Sequence, residues 1–264
     1  MIEKVVFVSV SGGKDSTLCL ALALEEYKET SVPIVAVFAD TNWEHPLTYQ
    51  YLDELEEFFG IRIYRVGYEG GLPALLKKLK IFPSPRRRFC TSECKTVPTY
   101  RFYEQLYFHF PFRVAEVWYG LRRDESVARR KIEDWELPAG SKTRFGERFP
   151  FAIHFRYPIK NLTKEQVFRE LKRRGIPLNP LYLMGYSRVG CYPCFLSQKD
   201  IKQVILSALK GDEVAQERVS QLICWERDYG KTVNIDTSIR VLIEKAKREY
   251  EQTSKMLTLP FEGV

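Results

Sequence analysis

The fold class this sequence predicts is α/β: a parallel, twisted sheet with helices on both faces, followed by a C-terminal helical appendage. Two observations predict it. Over residues 1–198, short β-branched runs that are apolar on consecutive residues alternate with helix-length segments, and a strand apolar on both faces is one covered on both faces. Beyond residue 198 the strand signals stop and amphipathic segments run nearly to the end. At 264 residues and 45% hydrophobic the chain can bury a sizeable core, so we expect a main domain over 1–198 and a helical region over 199–264.

In chain order, VVFVSV reads as a first strand, SGGKDS as the loop that leaves it, and STLCLALALEEYK as a largely buried helix. VPIVAVFADT is a second strand, NWEHP an extended turn, TYQYLDELEEFFG a helix, and IRIYRVG a third strand. GYEGGLPALLKK begins another helix. The two prolines of IFPSPRRRFC mark a loop, with a helix expected from about residue 98. RVAEVWYGLR and FAIHFRYPIKN are extended, while 131–150 has no clear period and reads as a long loop or small hairpin, placed over the active site. LTKEQVFRELKRRG has Thr163 and Gln166 at capping-box spacing and closes on Gly175, which predicts a helix between them. KDIKQVILSALKG, DEVAQERVSQLICWERDYG and SIRVLIEKAKREYEQTSKM complete the chain as helices.

With 41 Lys and Arg against 34 Asp and Glu, the net charge is +7, which suits a polyanion such as a nucleotide or a nucleic acid and equally describes a solvated basic surface. No run reaches the roughly 18 to 20 apolar residues of a membrane span, and the first strand lacks a signal-peptide cleavage site, so a cytoplasmic location is expected. Six cysteines in that setting point to metal binding, catalysis or burial before disulfides. Cys19 and Cys224, in apolar helical runs, read as core residues. That leaves Cys90, Cys94, Cys191 and Cys194.

SGGKDS joins a strand to a helix, a setting in which glycine backbone amides, the positive helix end and Lys14 can hold an anion; a ligand-free turn is the alternative. It is not a Walker A loop, which requires glycine where Val8 stands and Ser or Thr where Asp15 stands. Cys191 and Cys194 form CxxC, a spacing that places two thiolates on one metal, with Cys90 and Cys94 available to complete a tetrahedral set for Zn²⁺ or a [4Fe–4S] cluster. CxxC also serves as a redox dithiol or as plain packing.

SGGKDS, followed by FADTNWEHPLT, RFCTSECK, GLRRDES, YPIKNLT, GIPLNPLY and RVGCYPC in that order, resembles the PP-loop superfamily of adenine-nucleotide α-hydrolases, a HUP-type fold, in its phosphoadenosine phosphosulfate reductase branch. The resemblance covers roughly residues 5 to 198 and implies that Ser11, Gly12, Gly13, Lys14, Asp15 and Ser16 form the phosphate loop. It further implies that Asp40 sits beside the nucleotide and that Arg122 brings a guanidinium to the phosphates, with Lys14, Asp15 and Arg122 catalytic; Arg123, Glu125 and Arg129 are equally surface charges. It favours a [4Fe–4S] cluster over Zn²⁺, although the sulfonucleotide reductases carry adjacent upstream cysteines where this sequence has Thr91 after Cys90. Those reductases also use a nucleophilic cysteine in a C-terminal tail, whereas the tail here, KMLTLPFEGV, has none. The implied activity is ATP-dependent adenylylation of a nucleic-acid or small-molecule acceptor for sulfur transfer, with Mg²⁺ accompanying ATP and a sulfur donor or reductant protein as partner. A sulfonucleotide reductase releasing sulfite and a non-catalytic nucleotide- and metal-binding subunit are the alternatives.

Overall fold

The computed structural model describes residues 1–143, 146–233 and 237–257, with side chains through residue 251. Most of the tail KMLTLPFEGV therefore lies outside the described residues, as do residues 144–145 of the 131–150 stretch. The chain forms two compact units, the first of residues 1–72 and 90–190, the second of residues 73–89 and 191–264.

The first unit is built on a six-stranded sheet. Its strands are β1 (Ile2–Val10), β2 (Ile34–Asp40), β3 (Ile63–Gly67), β4 (Phe112–Tyr119), β5 (Trp135–Leu137) and β6 (Ala152–Arg156), in the order β3-β2-β1-β4-β6-β5. Every pairing is parallel except that of β5 with β6, in which Trp135 faces Phe155 and Leu137 faces Ile153. The 131–150 stretch thus contributes an antiparallel edge strand, and an isolated bridge between Lys142 and Arg148 continues the hairpin. That bridge folds the connection back on itself, so β5 returns beside β6 as an antiparallel neighbour.

The helices are α1 (Lys14–Glu26), α2 (Pro46–Phe59), α3 (Gly71–Leu79), α4 (Phe89–Thr91), α5 (Val97–His109), α6 (Lys164–Arg173), α7 (Gln198–Leu209), α8 (Glu213–Tyr229) and α9 (Ile239–Leu257). Alternation along β1 divides the core of the first unit into two. Val6, Val8 and Val10 pack with Leu18 and Leu20 of α1, Leu52 and Leu55 of α2, and Val167 and Leu171 of α6. Val5 and Phe7 turn the other way and pack with Tyr100 and Tyr103 of α5 and with Phe112, Phe151 and Ile153. Successive side chains of a strand point to opposite faces, so a central strand apolar at both parities requires helices on both sides.

Local signals explain the ends of the helices. Pro46 begins α2 while the His45 ring accepts from the Leu47 amide, and Gly60 ends it in the left-handed conformation. The expected capping box forms at α6: Gln166 N donates to Thr163 Oγ1 at 3.2 Å and Thr163 N to Gln166 Oε1 at 2.7 Å. The helix expected from residue 98 starts earlier, because α4 continues through a π-helical segment, Ser92–Thr96, into α5, with Pro98 in the first turn of α5. Buried Cys94 lies in that segment.

In the second unit Ser197 and Asp212 cap α7 and α8 by accepting from Asp200 N and Ala215 N. Phe82 stacks on Phe195 at 5.7 Å and lies 5.5 Å from the Tyr229 ring. Cys19 is wholly buried in α1, and burial pushes its thiol up. Cys224 departs from the expected core position: it is exposed on α8, because the buried positions of that helix, Ala215 and Leu222, lie seven residues apart on one stripe, and Cys224 is two residues, about 200°, around from it. Among the described residues no helix is long and apolar enough to cross a membrane.

Candidate functional site

β1 has β2 on one side and β4 on the other, so the chain reverses its direction of travel across the sheet at this strand. Ligands of open α/β sheets bind at the carboxyl ends of the strands flanking such a switch point. Ser11, Gly12 and Gly13 occupy the carboxyl end of β1, and Gly120 follows the end of β4. Both turns depend on glycine. Gly12 has φ +71°, and a Cβ there would stand 2.8 Å from Thr48 Cγ2; a Cβ at Gly120 would stand 2.6 Å from the Asp15 carbonyl carbon and 2.7 Å from Ser16 N. The exit of β4 is thereby laid against the first turn of α1.

Gly13 is the N-cap of α1 in extended conformation and makes no capping hydrogen bond of its own. An α-helix begins with backbone N–H groups that have no intrahelical acceptor, which makes its first turn a place for an anion. One of these groups, Lys14 N, donates to Tyr182 Oη at 3.0 Å. Asn179, fully buried, donates through Nδ2 to the Gly12 carbonyl at 3.1 Å and accepts the Leu181 amide at 3.0 Å. Ser16 braces the loop from within: its hydroxyl donates to the Gly13 carbonyl at 2.9 Å and accepts the Ser11 amide at 3.0 Å, with the Ser11 hydroxyl 3.1 Å away.

Two buried cations meet here. Lys14 is 5% and Arg122 4% exposed. Lys14 Nζ pairs with Asp15 Oδ2 and lies 5.8 Å from the centre of the Phe168 ring. Arg122 Nε donates to Asp15 Oδ1 at 2.7 Å, while Nη1 pairs with Asp124. Burial alone works against a charged Arg122; the carboxylates of Asp15 and Asp124 outweigh it and raise its pKa further. Asp15 thus compensates both cations at the mouth of the loop, where phosphate oxygens could take over that role. Burial holds the Tyr182 phenol up, so it remains a neutral hydroxyl beside Lys14 N.

The structure therefore brings Ser11, Gly12, Gly13, Lys14, Asp15, Ser16 and Arg122 into one cluster. Asp40 ends β2, and its Oδ1 accepts from Asn42 N and Tyr49 Oη, both at 2.8 Å, so it shapes the β2–α2 loop. Arg123 is bound to the Ile132 carbonyl, Asn161 and Glu133; Glu125 accepts the Arg122 amide at 2.9 Å and pairs with Arg129. Tyr182, Asn179, Thr48, Phe168 and Gly120 are parts of the cluster that the sequence reading did not single out. Asn179 and Tyr182 sit in GIPLNPLY, whose local sequence marks neither as a support of the loop. A groove of about 400 Å³ along α1 and α6, lined by Leu18, Leu22, Leu162, Gln166, Arg169 and Glu170, contains none of the loop residues.

Of the remaining cysteines, Cys90 and Cys94 belong to the first unit and Cys191 and Cys194 to the second. Cys94 is buried; Cys90, Cys191 and Cys194 are partly exposed. Among the described residues no group of three or more His, Cys, Asp or Glu is arranged to hold a metal ion.

Comparison with known proteins bears on the same region. Residues 5–197 match the family described as the phosphoadenosine phosphosulfate reductase domain. The chain is 31% identical over 273 residues to an uncharacterized 37.8 kDa protein of Escherichia phage 186, covering 83% of this chain and 74% of that one. It is 28% identical over 204 residues to a probable 5'-adenylylsulfate reductase 1, chloroplastic, of Oryza sativa subsp. japonica, covering 72% of this chain but only 38% of the rice protein. The crystal structure of phosphoadenylyl-sulfate reductase from Candida auris, a phosphate complex, is similar with a TM-score of 0.46 and 18% identity, covering 71% of this chain and 81% of that one. By the match across residues 5–197, this chain belongs to the phosphoadenosine phosphosulfate reductase domain family.

Proposed function

We propose that this chain is an ATP-using enzyme that adenylylates an acceptor oxygen and thereby prepares it for sulfur transfer. The observation that carries the reading is the cradle at the carboxyl end of β1: a glycine turn, an α1 terminus whose N-cap, Gly13, has no capping side chain of its own, and the buried cations Lys14 and Arg122 converging on Asp15. The acceptor is a nucleic acid or a small molecule. Its oxygen attacks the α-phosphorus of ATP and loses its proton to solvent base. The α–β bond breaks, with its electron pair leaving on pyrophosphate. A sulfur nucleophile from a donor protein then attacks the acceptor atom carrying the adenylate, and AMP departs with the electron pair. Lys14 and Arg122 stabilise the charge that develops on pyrophosphate, and Asp15 positions both cations. Mg²⁺ bound with ATP supplies further neutralisation of the triphosphate.

Cys90, Cys94, Cys191 and Cys194 are the proposed ligands of a [4Fe–4S] cluster, with Zn²⁺ as the alternative; four thiolates are a donor set that either accepts. Such a cluster would supply a site for binding sulfur, and the nucleotide half of the reaction would proceed without it. Reduction of a sulfonucleotide is the second reading, favoured by the adenylylsulfate reductase named among the relatives. Parallel assays separate them. Adenylylation predicts acceptor-dependent release of AMP and pyrophosphate from ATP. Sulfite release from adenylyl sulfate or its 3′-phosphorylated form, with thioredoxin as reductant and no turnover of ATP, would replace this reading with the reductase one; nucleotide binding without either product would point to a regulatory subunit.

A further inference from the structure

The net positive charge of this protein comes almost entirely from one segment. Residues 73–89 hold six Lys or Arg and no Asp or Glu, whereas the other 247 residues hold 35 basic and 34 acidic side chains. Six of the seven net charges therefore belong to 17 residues. All six cations, Lys77, Lys78, Lys80, Arg86, Arg87 and Arg88, are exposed, and none forms an ion pair with a described carboxylate. Some exposed cations elsewhere do have carboxylate partners, as Arg65 has Asp53 and Arg113 has Glu3.

The segment is held in shape from its apolar side. Leu75 and Leu76 of α3 are buried, and Phe82 anchors the following loop on Phe195 and Tyr229. Beyond the anchor, Arg87 N donates to the Ser84 carbonyl at 2.9 Å and Ser84 N to the Arg87 carbonyl at 3.2 Å, closing a turn around Pro85 and Arg86. The three consecutive arginines thus leave a turn whose backbone is already fixed, which lowers the ordering cost of binding. Guanidinium groups pair with phosphate oxygens in bidentate fashion. A membrane-surface segment presents an apolar face beside its cations; here Leu75, Leu76 and Phe82 are buried, and Leu79 alone is an exposed large apolar side chain.

We propose that residues 77–88 bind the phosphate backbone of a nucleic acid. The proposal deepens the acceptor half of the reading above and rests on that reading only for its link to turnover; the binding itself requires no nucleotide.

Fluorescence anisotropy with a labelled 20-nucleotide single strand, without ATP, tests it. If all six cations meet phosphates, log K against log salt falls with a slope of roughly −4, a loss of about 300-fold between 50 and 200 mM salt. The combined variant Arg86→Ala, Arg87→Ala, Arg88→Ala should bind at least about tenfold more weakly at 50 mM salt and halve the slope to roughly −2. The variant Lys77→Ala, Lys78→Ala, Lys80→Ala should behave alike. Lys28→Ala, Arg101→Ala and Lys131→Ala together, which remove equal charge from exposed positions outside the segment, should leave binding within about twofold, as expected where a local site rather than net charge sets the affinity. Absence of binding, an arginine variant that binds like wild type, or a control set that weakens binding equally would overturn the proposal. So would tighter binding to phosphatidylserine vesicles than to the oligonucleotide. Intact oligonucleotide binding without pyrophosphate release would sink the adenylylation reading and leave this one standing; the reverse result would sink only this one.

Discussion

Gly12→Ala tests whether the cradle is held as described, and its cost can be worked from two separable causes. The first is backbone: at φ +71° a side-chain-bearing residue costs about 1–2 kcal/mol. The second is contact: the new Cβ would stand 2.8 Å from Cγ2 of Thr48, a fully buried residue with little room to yield, and overpacking of this kind costs about 1–3 kcal/mol. Together they predict a destabilisation of roughly 2–5 kcal/mol. Thr48→Ser removes Cγ2 and keeps the hydroxyl, so in that background the contact disappears and only the backbone cost remains. Urea unfolding of the four proteins in this cycle should give a coupling energy of about 1–3 kcal/mol, favourable to the double variant. Additive costs, with coupling below about 0.5 kcal/mol, would show that Thr48 does not set the geometry of the loop. A Gly12→Ala protein as stable as wild type would refute the left-handed turn itself.

Glu116, on β4, accepts from Lys4 and Tyr27 and from the Trp118 indole, and Arg156 pairs with it as well. Burial works to raise its pKa, but these partners hold it at about 2 against the ordinary 4.5. The resulting stabilisation, at most roughly 3 kcal/mol, is complete above pH 4.5 and lost as pH falls towards 2; Glu116→Gln should therefore flatten the acid limb of a stability–pH curve, and an unchanged limb would refute the network. Tyr182→Phe removes the acceptor of Lys14 N and should cost about 1–3 kcal/mol in thermal unfolding; no loss would mean that another acceptor serves the amide. If the four cysteines hold metal as proposed, wild type purified anaerobically carries iron or zinc and Cys191→Ser does not; equal metal content would remove Cys191 from the ligand set.

Local patterns made much of the first unit legible. The β-branched runs of β1 and β2 and the Thr163–Gln166 spacing specify their elements from neighbouring residues alone, and SGGKDS lies on the strand–loop–helix junction that its glycines predict. What escaped the sequence depends on distance along the chain. Tyr182 and Asn179 reach Lys14 and Gly12 across 168 and 167 positions, and nothing near either residue marks it as a support for the loop. Residues 73–89 join the C-terminal helices in one unit because Phe82 finds an aromatic partner in Phe195, a pairing without periodicity. The exposure of Cys224 escapes a local reading because its immediate neighbours are apolar; the buried stripe of α8 runs through Ala215 and Leu222 instead.

Equilibrium dialysis of ATP with Mg²⁺ against wild type and Lys14→Ala tests the central claim most directly. Loss of one charge-assisted contact to phosphate is worth about 1.5–3 kcal/mol, so the account predicts that Lys14→Ala raises the Kd by about 10- to 150-fold while remaining folded by circular dichroism. A folded Lys14→Ala protein that binds ATP as tightly as wild type would contradict the assignment of Ser11–Ser16 as the phosphate site.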